Sequence, residues 1–98
     1  MVDPTLLLLA SLADGDKHGY AMMTDIEGFA GVRLGAGTLY GAIARAEERG
    51  LIQPATPAER RQPYRLTPSG RQHLRERLEL LDRVHRAAAR GLSPLGEA

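Results

Sequence analysis

The strongest constraint on the fold is a heptad repeat in the last third of the 98-residue chain. Thr67-Pro68 has the pattern of a helix start, with an acceptor at the N-cap and a proline in the first turn. Two series of period seven then form one seam on a helix that runs to about Arg90. These series are Leu74, Leu81 and Ala88, and Leu78, His85 and Leu92. Since the last helix of a small domain has little else to pack on, the seam predicts a homodimer.

Three helices and two short strands are predicted before this helix. Asp3-Pro4 caps a short helix that is apolar nearly all round, and apolar spacing predicts two more helices. The later elements are a second helix at about 19–29, a third at about 37–49, and strands at 51–53 and 64–66. A polar loop with a basic tip joins the two strands, and Pro63 is acceptable because both strands of such a hairpin are edges.

This order of elements is typical of a winged helix-turn-helix. We therefore predict a mostly α fold with a small two-stranded β wing and a long C-terminal dimerisation helix. Residues 1–66 are expected to form the winged helix-turn-helix and 67–92 the dimerisation helix, as one compact unit. Residues 93–98 are expected to be a disordered tail.

The net charge of +1 conceals an uneven distribution. Residues 1–31 carry five acidic side chains and one lysine, whereas residues 32–98 carry twelve arginines and seven acidic side chains. Arginine favours bidentate contact with phosphates and guanine edges. The chain has no cysteine, and its apolar run at 5–12 is far shorter than the ~20 residues of a membrane helix. These features predict a cytoplasmic protein with no membrane association.

The stretch GAGTLYG, residues 35–41, has two interpretations. Its glycines resemble part of a dinucleotide-binding fingerprint, but that fingerprint needs a buried strand before it and a βαβ unit around it. The alternative is a helix start, with Gly35 at the N-cap and Gly37 allowing a close backbone approach. Exposed N–H groups at such a start suit a DNA phosphate, so we favour a recognition helix.

Three motifs together resemble the PadR family of bacterial transcriptional regulators. They are HGY at 18–20, GTLYGAIARAEERGLI at 37–52 and RRQPYRLTPSGRQHL at 60–74. The resemblance covers roughly residues 5–90 and looks like the short subfamily with one C-terminal helix. It implies a winged helix-turn-helix that binds promoter DNA as a dimer. The sequence departs from the family pattern before Gly37, at Gly41, at Ala46 and at the wing tip.

Residues on the exposed face of the third helix and in the wing are the candidate DNA contacts. Thr38, Tyr40, Gly41 and Arg45 face outward on the third helix, and Gly37 lies at its start. Arg60, Arg61 and Arg65 lie in the wing, where arginine reaches phosphates or the minor groove. Tyr20 is added by the resemblance, and Lys17 lies nearby. The alternatives to DNA contact are that Tyr20 is a core tyrosine, that the Tyr40 ring packs on the wing, and that the arginines are only solvated.

The predicted dimer interface combines the first and last helices. Its residues are Leu6, Leu9, Leu74, Leu78, Leu81, His85 and Ala88. The resemblance also implies a small hydrophobic effector between these helices, where Leu6, Leu81 and His85 would line the space. The alternative is a closed seam packed by leucines.

Other classes of function have weaker support in the sequence. No nucleophile and base recur with useful spacing, so we expect no enzyme and no cofactor. We expect no metal within one chain, because His73 and His85 do not converge on one helix, although a site across a dimer is an alternative; His18 is expected to cap a helix. The remaining alternatives are a winged helix that binds proteins, a small-molecule-binding protein with secondary DNA binding, and a MarR- or ArsR-type winged helix.

Overall fold

The structure is a computed structural model that describes residues 3–57 and 59–94. This part of the chain forms four helices, three short strands and a 3₁₀ turn at Leu12–Asp14. The helices are α1 (Pro4–Ser11), α2 (Gly19–Ala30), α3 (Ala36–Glu48) and α4 (Pro68–Leu92); the strands are β1 (Lys17–His18), β2 (Ile52–Pro54) and β3 (Pro63–Leu66). The predicted winged helix-turn-helix is confirmed, with element ends shifted by at most two residues.

Capping explains where the helices begin. Side-chain acceptors at Asp3, His18 and Thr67 each receive a backbone N–H of the first turn of α1, α2 and α4. The helix α3 differs, because its N-cap Gly35 has no side chain to offer. Gly50 follows α3 with φ 75°, a left-handed conformation that glycine adopts without steric cost.

The short helix α1 lies at the centre of the core. It contacts α2, α3 and α4, and Leu8 and Leu9 are wholly buried. The other buried apolar residues are Leu7, Leu12, Met22, Ile26, Leu39, Ala42, Ile43, Ala46, Leu51, Ile52, Leu66 and Leu74. Since burial of one large apolar side chain contributes about 1.5–3 kcal/mol, this cluster is the main source of stability.

The sheet has three strands rather than the two that the sequence predicts. Its order is β1-β3-β2, and both pairings are antiparallel. The strand β1 contributes only Lys17 and His18, which pair with Tyr64 and Pro63. The prediction that Pro63 lies on an edge strand is therefore wrong, because β3 is central. Pro63 is tolerated because it is the first residue of its strand, where a ladder N–H is not needed.

The helix α4 belongs to the domain only over its first two turns. Gly70 and Leu74 are buried, whereas every residue from 78 to 92 is exposed. This exposed stretch would extend for about 22 Å. The radius of gyration is 15.7 Å, against about 13 Å for a compact domain of this length, which reflects the projecting helix. Residues 95–98 of the predicted tail lie outside the described residues.

Within the described ranges, none of the helices combines the length and the apolar character that crossing a membrane requires.

The close contact between α4 and the turn after α3 generates a stability prediction. A Cβ atom at Gly70 would collide with the carbonyl oxygen of Leu51 and would lie 2.9 Å from its carbonyl carbon. We expect Gly70→Ala to lower the free energy of unfolding by about 2 kcal/mol in urea denaturation. Gly91→Ala on the same helix is the control, because a Cβ there would meet no described atom within 4 Å. It should leave stability unchanged or raise it by up to about 1 kcal/mol; equal decreases in both variants would contradict the contact.

Candidate nucleic-acid interface

The helix α3 has one buried face and one exposed face. Leu39, Ala42, Ile43 and Ala46 are buried against the core, as their spacing predicts. Thr38 and Arg45 are exposed, and Gly41 is half-buried. A Cβ at Gly41 would lie 3.3 Å from the Arg45 guanidinium, so the arginine side chain lies back over this glycine. The exposed face therefore presents Thr38 and the Arg45 guanidinium, with little bulk at Gly41 between them.

The start of α3 is open to an incoming group. A Cβ atom added at Gly35 or Gly37 would meet no described atom within 4 Å, so packing within the described chain does not require glycine at either position. The N-cap provides no side-chain acceptor for the first-turn N–H groups of this helix. These N–H groups lie at the positive end of the helix dipole, where anions are favoured.

Tyr40 joins α3 to the start of α2. Its hydroxyl and ring lie directly against Gly19, where any Cβ atom would overlap them. The glycine of the HGY motif is therefore explained by the need to accommodate this ring. Tyr40 nevertheless remains 51% exposed, so it packs on α2 rather than being enclosed by the wing.

The wing tip presents two arginines. Arg60 and Arg61 are exposed, and Glu59 and Arg60 adopt left-handed backbone conformations with φ 51° and 65°. Gln62 fixes the end of the loop, because its amide nitrogen donates to the carbonyl oxygens of Ala55 at 2.9 Å and Pro63 at 2.7 Å. The arginines are thus carried by a loop whose end is anchored to the strand.

A cleft of about 420 Å³ separates the start of α2 from the wing tip. Its lining is rich in aromatic and cationic groups and consists of His18, Gly19, Tyr20, Tyr40, Arg60, Arg61, Gln62 and Tyr64. The cleft brings together four of the predicted DNA contacts: Tyr20, Tyr40, Arg60 and Arg61. His18 and Tyr64 were not predicted as contacts, although the HGY and PYRL motifs contain them.

Tyr64 stays protonated over the physiological range. Burial raises the pKa of its phenol, and electrostatic interaction with Glu47 and Tyr40 raises it further. The hydroxyl therefore remains available as a hydrogen-bond donor at the floor of the cleft.

The Lys17 side chain forms its hydrogen bonds within the chain. Its ammonium donates to the Ser11 carbonyl and to the Asp14 carboxylate, both at 2.5 Å, and lies 3.9 Å from Asp25. The hydrogen bond from Lys17, followed by its charge, holds the pKa of Asp14 below its usual value. With a side chain only 19% exposed, Lys17 ties α1 to α2 rather than presenting a charge to DNA.

Arg65 also has a partner within the chain. Its guanidinium lies 2.9 Å from the carboxylate of Asp16, and both side chains are about half exposed. Arg65 is therefore not part of the cleft, although it lies on the same strand as Tyr64.

The predicted dimer residues fall into two groups. Leu9 and Leu74 are buried inside the protomer, so the prediction that they face a partner needs correction. Leu78 and Leu81 are exposed large apolar residues, and His85 and Ala88 are also exposed. Leu6 is partly buried against the core. Among the described residues, no group of three or more His, Cys, Asp or Glu side chains is placed to hold a metal ion.

The fold and the cleft define a winged helix-turn-helix protein, and comparison with known proteins identifies its family. The sequence model of the family described as "Transcriptional regulator PadR-like family" matches residues 8–76. A transcriptional regulator of Mycobacterium tuberculosis is 35% identical over 91 residues, which cover 90% of this chain and 84% of that protein. The chain belongs to the PadR-like family of transcriptional regulators.

A further relative matches this chain over a small part of a longer protein. An uncharacterised 37.1 kDa protein of a Streptomyces fradiae transposon is 46% identical over 88 residues. The match covers 90% of this chain but spans only 24% of that protein's length.

Two solved structures share the fold. A PadR family transcription regulator of Clostridium difficile has a TM-score of 0.83 at 23% identity, covering 92% of this chain and 98% of that one. Bacillus subtilis PadR, solved in complex with operator DNA, has a TM-score of 0.69 at 22% identity, covering 76% and 45%.

The position of Lys17 predicts a structural rather than a DNA-binding role. We expect Lys17→Met to lower the free energy of unfolding by about 1–3 kcal/mol, because it leaves the Ser11 carbonyl and a nearby carboxylate without their donor. Arg33→Met is the control: it removes a surface pair with Glu27 at 3.1 Å and should cost at most about 1 kcal/mol. Urea denaturation measures both. Unchanged stability with a large decrease in DNA affinity in Lys17→Met would reverse the assignment.

Proposed function

We propose that this chain is a homodimeric, sequence-specific DNA-binding regulator that represses transcription from a pseudo-palindromic promoter site. The observation that carries the proposal is the cleft, where Arg60 and Arg61 of the wing face the start of α2 beside the exposed side of α3. A recognition helix and a basic wing on one side of a small domain form a surface suited to a major groove and its flanking phosphates.

The unpaired charges of the α3 and wing-tip arginines support DNA binding by this surface. Among residues 3–57 and 59–94, no carboxylate forms an ion pair with Arg45, Arg60 or Arg61. Such arginines can displace counterions from DNA phosphates, which is the main source of affinity for DNA. Bacillus subtilis PadR, which has the same fold, has been solved in complex with operator DNA, which supports DNA as the partner.

The projecting part of α4 supports a homodimer. Leu78, Leu81, Val84 and Leu92 are between 40% and 82% exposed along one side of this helix. A helix that projects from its domain gains little stability without tertiary packing, and the described part of one chain does not cover this apolar side. Pairing of two α4 helices would bury it and would set the separation of the two α3 helices at about 34 Å or a multiple.

We extend the proposal to a small apolar effector that relieves repression. Such a compound would bind between α1 of one subunit and α4 of the other, near Leu6, Leu81 and His85. Leu6 is only partly buried and Leu81 is 40% exposed, so both offer apolar surface at this position. An effector that favours one crossing angle of α4 would change DNA affinity by shifting the population of dimers.

Fluorescence anisotropy on DNA from upstream of the protein's own gene tests the DNA-binding role. We expect tighter binding to this DNA than to a scrambled sequence, with affinity that falls steeply as salt rises. Arg60→Ala/Arg61→Ala should lower the slope of log Kd against log salt by roughly one for each phosphate that is no longer neutralised. Arg83→Ala/Arg86→Ala removes the same charge from the side of α4 opposite Leu81 and should change affinity little.

Binding without salt dependence, or equally weakened binding in both double variants, would contradict the proposed surface. Absence of DNA binding at low salt would favour the alternative of a protein-interaction module.

Sedimentation velocity tests the dimer. We expect the wild type to sediment as a dimer and Leu81→Glu to sediment as a monomer, because a carboxylate in an apolar seam is not compensated. Arg83→Glu places the same new group on the opposite side of α4 and should leave the dimer intact. A wild-type monomer, or a dimer that survives Leu81→Glu, would show that α4 does not form the interface as proposed.

A further inference from the structure

His18 makes two contacts that no single protonation state of its ring can satisfy. Its Nδ1 atom accepts from the backbone N–H of Ala21 at 3.3 Å, and its Nε2 atom lies 3.0 Å from the Arg61 guanidinium. A neutral imidazole has one acceptor nitrogen and one N–H, and arginine offers donors only. One of the two contacts is therefore donor against donor.

The backbone contact decides which nitrogen carries the hydrogen. The Ala21 N–H lies in the first turn of α2, where N–H groups have no backbone carbonyl to bond. The N-cap side chain provides the acceptor instead, so we assign the acceptor role to Nδ1. The arginine is exposed and can turn away. We therefore assign the hydrogen to Nε2, which makes Nε2–H and the Arg61 guanidinium two donors whose nitrogens lie 3.0 Å apart.

The described residues that line the cleft bring no negative charge to this pair. They are His18, Arg60, Arg61, Gln62, three tyrosines and a glycine, so none of them is a carboxylate. Three tyrosine hydroxyls, which can also donate hydrogen bonds, line the same cleft, and burial raises the pKa of the Tyr64 hydroxyl. A negatively charged oxygen beside this pair, with the exposed arginine turned toward it, would accept one hydrogen bond from Nε2–H and one from the guanidinium in place of the donor–donor contact.

We propose that His18 and Arg61 together hold one backbone phosphate of the bound DNA, with Nε2–H of His18 donating to one of its oxygens. This assignment rests on the proposed DNA-binding function and adds a contact to it. His18 then has two roles through its two nitrogens: Nδ1 caps α2, and Nε2 contacts the phosphate. Because α2 carries Tyr20 and packs on Tyr40, the phosphate would fix the position of the wing tip relative to the helix-turn-helix.

Two substitutions separate the two roles of the ring. His18→Asn keeps a short acceptor that can cap α2 but cannot reach the phosphate. His18→Gln extends an amide N–H toward the position of Nε2 but is a poorer cap. We expect His18→Asn to keep wild-type stability and bind operator DNA roughly tenfold more weakly, as removal of a hydrogen bond to a charged group implies. We expect His18→Gln to be less stable but to retain more of the affinity.

Salt dependence and coupling identify the contact further. His18→Asn should leave the slope of log Kd against log salt unchanged, because only a neutral donor is removed, whereas Arg61→Gln should lower it. The double variant should bind less weakly than the two single effects combined would give, because both side chains hold the same phosphate.

A titration of the free protein with inorganic phosphate distinguishes a general anion site from a DNA contact. The ¹⁵N signals of the His18 ring should show the Nε2–H tautomer, and phosphate should shift Nε2 in the wild type but not in Arg61→Gln. Wild-type DNA affinity in His18→Asn would overturn the proposal while leaving DNA binding intact, even if phosphate shifts the ring. Failure of the wild type to bind DNA would instead reject the proposed function itself.

Discussion

The position of α1 at the centre of the core, with Leu7, Leu8, Leu9 and Ser11 buried, is the constraint on which the rest of the structure depends. A helix of eight residues that is apolar on nearly every side cannot lie on a surface, so other elements must surround it. Here α2, α3 and α4 each take one side of it. The relative positions of the recognition helix and the projecting helix are therefore set by one short segment, and both follow from where Leu8 and Leu9 are placed.

Two glycines and one polar cluster fix the remaining geometry around this core. Gly19 allows the Tyr40 ring to lie against α2, and Gly70 allows α4 to lie against the Leu51 carbonyl, which a side chain at either position would prevent. Ser11, buried at the end of α1, donates to Asp25 of α2 at 2.7 Å and accepts from Lys17 through its carbonyl. These contacts hold the elements at fixed distances in a way that apolar packing alone does not.

The parts of the fold that the sequence predicts are those whose signals are local. Thr67-Pro68 and the apolar period of α3 indicate their own structure within one or two turns. Strand β1 has no such signal, because Lys17 and His18 become a strand only by pairing with β3 more than forty residues later. Leu74 and Leu81 share a heptad position, yet one is buried in the protomer and the other exposed, since α4 leaves the domain between them.

The same limit applies to the residues of the candidate site. Lys17 is indistinguishable in the sequence from a free cation, but the fold places it beside Asp14 and Asp25. For His18 the sequence predicts only a cap, and its second nitrogen contacts Arg61 because the wing returns to it forty-three residues later.

The uneven charge of the sequence follows from this arrangement. All five acidic residues of the first 31 form ion pairs within the chain: Asp3 with Arg77, Asp14 and Asp25 with Lys17, Asp16 with Arg65, and Glu27 with Arg33. The negative charge of the N-terminal part is thereby neutralised close to where it arises. Arg45 of α3 and Arg60 and Arg61 of the wing tip form no ion pair with these acids. A chain with a net charge of +1 can in this way leave unpaired arginines beside the cleft, because the acidic groups of its N-terminal part are paired with other cations.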